Sequence, residues 1–390
     1  MRSRWTILAV LFVARAAMAF QFQSVAATAP LLSDSLGASL ADIGFLIGLY
    51  LAPGVVLALP GATIGKRHGD KATVLAGLVM MLAGEMLMTA SASWNLQIAG
   101  RLIGGTGGVL LNVLMTKMVA DWFAGREIAT AMAVYVNSWP AGIAIALMLL
   151  PATGAAFGMT GVGLAVAVPI VVGIGMMALV YRSPGAPAGG IERTGISAAT
   201  TFALIAAGLI WCLYNIGLAM VFSFGPSMLA ERGWSGPAAG SAVSVVLWLA
   251  ALSVPLGGLL ADRSKRGGAV LAAGCAGFAL LTLLLSRGGP VLPLTVAIGI
   301  VGGLPAGAIM SLPARVLDQR TRSIGMGVFY TVYYAGMLAG PAIGGKLAAL
   351  TGTATAALDF GAAALLSCPL LLLAFHRACH LTSPKVVEAG

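Results

Sequence analysis

The chain has 390 residues, of which 59% are hydrophobic and only 9% are charged. Ordinary soluble domains carry about 25% charged residues, so the polar side chains here are too few to cover a soluble fold. The composition excludes a soluble enzyme, a disordered chain and a disulfide scaffold, and it indicates a protein that crosses a membrane several times. The net charge of +10 permits either nucleic acid or membrane lipid as a partner, and its distribution decides between them.

Apolar stretches long enough to cross a bilayer recur along the whole chain. A membrane helix needs about 20 mostly apolar residues. The stretches are long and lack the alternation of barrel strands, so they predict an all-α membrane protein. Twelve transmembrane helices are predicted, at residues 6–32, 41–65, 72–93, 96–120, 127–150, 161–181, 199–224, 238–260, 268–286, 291–312, 323–345 and 354–375.

The start of the first span has an alternative interpretation. Two arginines, an apolar run and Ala17-Met18-Ala19 are also features of a cleavable signal peptide. The apolar run continues to Leu32, however, and it contains Arg15 where a signal peptide is uncharged. These two features favour a retained span.

The basic residues lie mostly on one side of the predicted spans. If the amino terminus is cytoplasmic, 16 of the 22 lysines and arginines fall in cytoplasmic segments and three on the opposite side. This asymmetry predicts a multi-pass protein of the inner membrane with both termini in the cytoplasm. It also explains the positive charge through contact with anionic membrane lipid, so no nucleic-acid partner is expected.

The chain contains a repeat of about half its length. Residues 30–67 align without gaps with residues 226–263, with seven identities. The repeat predicts an N-terminal six-helix half at 1–182, a cytoplasmic linker at 183–198 and a C-terminal six-helix half at 199–390. Parallel halves of this kind are typical of secondary transporters.

Two loops carry the first resemblance to a known family. The loop after span 8 contains Ala-Asp262-Arg263 between Gly258 and Arg266, and it is similar to the GxLADRxGRR loop of the major facilitator superfamily. The loop after span 2 is also basic, but Lys66 stands where Asp262 stands in the second copy.

Two spans add to the resemblance. Span 4 opens with Arg101-Leu-Ile-Gly-Gly, similar to the family's RxxxGxxxG signature, and span 11 has a GxxxGPxxGG pattern at 336–345. The resemblance covers the whole chain and implies the major facilitator fold of twelve helices in two pseudo-symmetric halves. Spans 1, 2, 4 and 5 are most similar to cyanate-permease-like and nitrate/nitrite-porter-like members.

Charged residues of the loops are predicted to act in gating or coupling. Asp262 can accept hydrogen bonds at the start of a neighbouring helix, and Arg263 can pair with acids at nearby span ends. Lys66 and Arg67 occupy the matching loop of the first half. The alternative is that these residues only mark topology.

Five charged residues lie inside predicted spans and away from the first two residues of a span, where an unpaired charge is costly: Arg15, Glu85, Arg101, Lys117 and Asp359. Lys117 and Asp121 have the i,i+4 spacing of a helix ion pair. Glu85, an acid inside a span, and Asp121, an acid at the end of one, are further candidates for gating or coupling. For Glu85, a proton carrier and a hydrogen-bonded structural acid are both open.

Arg15 is the leading candidate for substrate binding. It lies roughly 13–14 Å into span 1, close to the midplane of a ~30 Å hydrocarbon core. Phe22 and Gln23 share its helix face, and a cation, an amide and an aromatic ring suit a small anion. An arginine bridging to a neighbouring carbonyl or acid is the alternative.

Other candidates lie on spans that line the cavity in the family. Arg101 and Asn112 share a face of span 4, and the family implies a structural role or one near the proton path as the alternative for Arg101. Tyrosine hydroxyls and asparagine amides can donate to an anion without adding charge, although helix packing explains many of them. The further candidates are Tyr135, Asn137, Trp211, Tyr214, Asn215, Tyr330 and Tyr334.

These features predict a secondary active transporter that moves a small inorganic or organic anion by alternating access, coupled to protons and acting as a monomer. One alternative is a proton-driven efflux pump for apolar or cationic drugs. Another is a non-transporting sensor with a transporter fold. The four cysteines lack metal-ligand spacing and there is no catalytic constellation, so no enzyme activity, cofactor or metal is expected.

Overall fold

The computed structural model describes residues 4–58, 60–90, 93–123, 127–183, 196–317 and 321–382. Every regular element in these ranges is a helix. The elements are α1 Arg4–Ala27, α2 Ala29–Leu36, α3 Leu40–Leu49, α4 Pro53–Leu57, α5 Gly61–His68, α6 Asp70–Ala90, α7 Trp94–Phe123, α8 Ile128–Val136, α9 Ser138–Leu179, α10 Ala198–Glu231, α11 Gly236–Ser264, α12 Gly267–Ser286, α13 Val291–Met310, a 3₁₀ turn Pro313–Arg315, α14 Arg322–Thr351 and α15 Thr355–Thr382.

The helices form twelve membrane-crossing segments, as predicted. Ten described segments are long and apolar enough to cross a bilayer, and one of them, Val134–Leu179, holds spans 5 and 6 together. The chain turns between these two spans at Gly158, where φ is 61° and ψ is −161°, a conformation that only glycine adopts readily. The 30-residue α14 is the remaining crossing segment. The predicted all-α fold is therefore confirmed.

In each six-helix half the first span packs along the helix that ends the half. In the first half α1 packs along α9, and in the second half α10 packs along α15. Further contacts join α6 to α7 and α12 to α13. The predicted linker at 183–198 lies mostly outside the described residues.

The halves meet at the end of the bundle away from the amino terminus. The amino-terminal end is marked by an ion pair between Arg4 and Glu127, which precedes α8. At the opposite end, α3 lies directly against α14, and α9 lies against α11. A helix rises about 1.5 Å per residue, so these contacts are a full membrane span from Arg4.

Glycines let the two halves pack tightly at these contacts of α3 with α14 and of α9 with α11, which we call the glycine closure. A Cβ atom on Gly44 of α3 would lie 2.2 Å from the carbonyl oxygen of Pro341, and one on Gly48 would lie 2.2 Å from that of Leu338. On the other side of the bundle, a Cβ atom on Gly240 of α11 would lie 2.1 Å from the carbonyl oxygen of Leu147. Small residues let membrane helices approach this closely.

A bulky residue at this closure should open it. We expect Gly44→Leu to disfavour the closed arrangement, because its side chain would overlap the backbone of α14. Spin labels at Ser35 and Leu350, on either side of the closure, should show a longer distance in this variant by pulsed electron resonance. Gly175→Leu is the matched control, because a Cβ atom there meets nothing within 4 Å. An unchanged distance in Gly44→Leu would contradict the assignment.

Candidate functional site: a central cavity

A cavity of about 380 Å³ lies between the two halves. It is lined by residues of both halves and lies on the amino-terminal side of the glycine closure. Eight of the twelve predicted substrate-contact residues line it, namely Arg15, Phe22, Asn112, Asn137, Trp211, Tyr214, Asn215 and Tyr334. The other four, Gln23, Arg101, Tyr135 and Tyr330, lie behind its wall or away from it.

Arg15 is held in the cavity wall by neutral groups of α7, α8 and α9. Its Nε donates to Asn112 Oδ1 at 2.9 Å, and its Nη1 donates to the carbonyl oxygens of Tyr135 at 3.1 Å and Val136 at 3.0 Å. The guanidinium also lies over the Tyr135 ring, 4.7 Å from its centroid. These contacts fix the orientation of the cation without neutralising its charge.

Among the described residues, no carboxylate lies within ion-pair distance of Arg15. The Nη2 atom of Arg15 donates no hydrogen bond to any described residue. A cation at this depth is stabilised by a partner, by water in a cavity or by a bound anion. Arg15 is therefore positioned to receive a negatively charged group.

A hydrogen bond crosses from one half to the other at the cavity wall. Asn112 Nδ2 on α7 donates to the hydroxyl of Tyr334 on α14 at 3.2 Å. The ring of Tyr334 also lies against α4, where a Cβ atom on Gly54 would meet it at 2.3 Å. Asn112 thus contacts Arg15 through its oxygen and the opposite half through its nitrogen.

Aromatic residues of α10 form part of the opposite wall. The rings of Trp211 and Tyr214 stack with centroids 5.6 Å apart. The Tyr214 hydroxyl donates to the carbonyl oxygen of Gly302 at 2.8 Å, and Asn215 Nδ2 donates to that of Trp211 at 2.7 Å. Tyr330 does not line the cavity and packs edge-on against the neighbouring Tyr333.

Arg101 was predicted to contact the substrate, but the structure places it outside the cavity lining. It is 1% exposed, and its Nε, Nη1 and Nη2 each donate at 3.0 Å, to the carbonyl oxygens of Leu46, Gln21 and Phe22 respectively. Its guanidinium lies 4.6 Å from the centroid of the Tyr50 ring. Arg101 therefore joins α1, α3 and α7 and does not reach the cavity.

Gln23 is also buried behind the wall. It is 0% exposed, and its Nε2 donates to the carbonyl oxygen of Phe222 on α10 at 2.9 Å. It therefore links the two halves beside the cavity.

Glu85 belongs to a buried network next to Arg101. It is 3% exposed, and its Oε2 accepts a hydrogen bond from Gln21 Nε2 at 3.1 Å. Gln21 Oε1 in turn accepts from the hydroxyl of Tyr50 at 3.0 Å. The network connects α6 to α1 and α3, close to the helix that packs against α14.

The loop residues predicted to act in gating are described in part. Lys117 pairs with Asp121 at 3.4 Å, as its spacing predicted, and also with Asp70 at the start of α6. Arg67 and Arg263 are exposed. The side chains of Lys66 and Asp262 lie outside the described residues.

Several cavity residues were not predicted, and most of them are apolar. Four methionines line the cavity, Met18, Met132, Met310 and Met337, together with Trp139. Their spacing along the helices does not differ from that of residues that pack against other helices or lipid. Only the tertiary structure separates these surfaces.

Comparison with known proteins identifies the family. The chain matches the Major Facilitator Superfamily at residues 11–224 and 207–387, so it belongs to this superfamily. This places the chain among membrane transporters.

The relatives agree with this assignment. The chain is 32% identical over 116 residues to the inner membrane transport protein YajR of Escherichia coli, covering 30% of this chain and 25% of YajR. It is 27% identical over 123 residues to the methylenomycin A resistance protein of Bacillus subtilis, covering 32% of this chain and 26% of that protein. The matched region thus spans about a quarter of the length of these relatives.

A solved structure shows the same fold over nearly the whole chain. It is a bacterial homolog of the human lysosomal transporter Spinster in an inward-facing and occupied conformation. The TM-score is 0.76 at 15% sequence identity, and the match covers 97% of this chain and 96% of that chain.

The contacts of Arg101 predict a structural effect on mutation. Arg101→Gln should lower the thermal stability of the purified protein, because hydrogen bonds to charged groups contribute about 1.5–3 kcal/mol each. The measurement is fluorescence-detected size-exclusion chromatography after heating. Arg67→Gln, at an exposed arginine, should leave the midpoint unchanged. Equal midpoints for both variants would exclude the bridging role.

Proposed function

We propose that this chain is a secondary transporter that moves a small anion across the inner membrane by alternating access. The observation that carries the proposal is Arg15, a cation in the cavity wall with no acidic partner among the described residues. Among the described residues that line the cavity, Arg15 is the only charged one. A bound anion would compensate its charge inside the membrane-embedded cavity.

The arrangement of the halves supports alternating access. The bundle is closed at one end by the glycine contacts, and the cavity lies toward the end that carries the amino terminus. With cytoplasmic termini, as the basic residues predict, the cavity faces the cytoplasm. The inner-membrane location of YajR and the inward-facing state of the Spinster homolog are in line with this orientation. The protein is proposed to act as a monomer.

Proton coupling is assigned to Glu85. The charged and titratable groups around it are Arg101 on α7 and Tyr50 at the end of α3, and its direct donor is the neutral amide of Gln21. Gain or loss of a proton at Glu85 changes the hydrogen bonds that Gln21 can make. Gln21 contacts Tyr50, which follows the helix that closes against α14, so protonation can bias the closure.

Export of apolar compounds is the second candidate. The cavity wall is mainly apolar. Such a function needs no anion at Arg15, so the charge of the transported compound separates the two candidates. The similarity to cyanate and nitrate porters stays a prediction.

Arg15 provides the test of anion transport. Reconstituted protein should exchange labelled nitrate, cyanate, acetate or benzoate in a counterflow assay, and Arg15→Ala should reduce this exchange at least tenfold. Arg15→Lys should retain part of it, because lysine keeps the charge and loses the planar donor set.

Arg232→Ala is the control for Arg15→Ala, because Arg232 lies outside the cavity and donates to the carbonyl oxygens of Leu285 and Ser286. If Arg15→Ala transports every anion at the wild-type rate, or if only neutral or cationic compounds are transported, export of apolar or cationic compounds becomes the better assignment.

A second variant separates coupling from binding. Glu85→Gln should abolish anion accumulation driven by a pH gradient and leave counterflow exchange close to wild type, because exchange needs no net proton movement. Asp359→Asn is the matched control, since that acid pairs with Arg287 at 2.8 Å outside the cavity. Gradient-driven accumulation in Glu85→Gln at the wild-type level would rule out this carrier.

A further inference from the structure

The two halves contribute different surfaces to the cavity. The N-terminal half supplies the cation and two amides, Arg15, Asn112 and Asn137. Among the described lining residues of the C-terminal half there is no charged side chain. The cavity is therefore polar and positively charged on the N-terminal side, around Arg15, and its described lining on the C-terminal side is uncharged.

Three polar side chains of the C-terminal wall are already engaged by the protein, while the hydroxyl of Tyr333 and the indole of Trp211 add limited polar surface. The Tyr214 hydroxyl donates to Gly302, the Asn215 amide donates to Trp211, and the Tyr334 hydroxyl accepts from Asn112. What this wall offers to a ligand is mainly carbon and sulfur surface, from residues that include Leu218, Leu247, Val254, Met310 and Met337. Methionine side chains adapt to apolar and aromatic ligands of varied shape.

The polar side has room for one acidic head group. Four nitrogen–oxygen contacts occupy Arg15 Nε and Nη1, the longest of them to Ser138 Oγ at 3.4 Å, and its Nη2 remains without a protein acceptor among the described residues. Asn137 follows Val136, which Arg15 contacts directly, and its side chain makes no capping hydrogen bond at the start of α9. One guanidinium compensates one negative charge, and a second charge would stay uncompensated in an apolar cavity.

The size of the cavity excludes a good fit for a very small ion. Its volume of about 380 Å³ falls in the range of roughly 300–1,000 Å³ typical of clefts that enclose organic ligands. A nitrate-sized ion at Arg15 would leave most of this space to water in contact with apolar side chains. An apolar body attached to the anion would displace that water favourably.

We infer that the substrate is a monovalent amphipathic organic anion. Its acidic group binds Arg15 and Asn137 in the N-terminal half, and its apolar body packs against Leu218, Met310 and Met337 in the C-terminal half. This inference rests on the anion transport proposed above and specifies its substrate class. A ligand bound in this way contacts both halves at once, so it can bias their relative position.

A series of carboxylates of constant charge tests the inference. Isothermal titration of the purified full-length protein with acetate, benzoate and 1-naphthoate should show the Kd falling at least tenfold from the first to the last, since apolar burial grows along the series. Nitrate should bind no more tightly than acetate. Naphthylmethylammonium, with the same ring and opposite charge, should bind at least tenfold more weakly than 1-naphthoate.

Two variants separate the head-group site from the apolar wall. Leu218→Ala should raise the Kd of 1-naphthoate about threefold or more and leave that of acetate within twofold. Arg15→Ala should weaken both, with Arg15→Lys as the variant that keeps the charge. Leu209→Ala is the matched control, because Leu209 lies on the same helix, is 37% exposed and does not line the cavity.

The outcomes distinguish this inference from the proposed function. If nitrate and acetate bind as tightly as 1-naphthoate and still require Arg15, the inference is wrong and anion transport stands. If naphthylmethylammonium binds as tightly as 1-naphthoate, both are wrong. If 1-naphthoate does not bind folded wild-type protein at millimolar concentration, the inference is also wrong.

Discussion

The structure depends on the need to satisfy polar groups inside a hydrocarbon environment. Backbone groups in the bilayer must pair within the protein, which leaves the chain to cross it as helices. Charged side chains obey the same constraint. At Arg101 each of the three guanidinium nitrogens donates to a carbonyl oxygen of α1 or α3, and the residue is 1% exposed.

Arg15 meets the same constraint only in part, and this difference defines the site. Both arginines contact only neutral hydrogen-bond acceptors, but one terminal nitrogen of Arg15 stays without a protein acceptor among the described residues. A charge that is oriented and not neutralised is suited to a ligand that arrives and leaves. Arg101, buried and bonded through every nitrogen, stabilises the half in which Arg15 lies, and Arg15 keeps one nitrogen available for a ligand.

The closure between halves has a different physical basis. Gly44, Gly48 and Gly240 allow backbones to touch without side chains between them, and the contacts are neutral. Helices that pack in this way can separate without exposing a buried charge. This property suits a contact that must open in each transport cycle. Polar links between the halves are few among the described residues, and two of them, from Asn112 and Gln23, lie beside the cavity. The substrate site is thus close to the polar contacts that relate one half to the other.

The sequence by itself determined the class of protein, the twelve spans and the repeat, because hydropathy and the distribution of basic residues act locally and are read directly along the chain. It also predicted Arg15 and Asn112 as substrate contacts, and both line the cavity. Only the tertiary structure decided that Arg101 is a buried bridge, because a helical wheel gives the direction of a side chain and not the neighbours that receive it. Only the tertiary structure, likewise, identified the apolar wall of the cavity. Met310 and Met337 face a cavity and Leu209 does not, yet in a membrane protein all three positions are apolar, since lipid, packed helices and an apolar ligand impose the same preference.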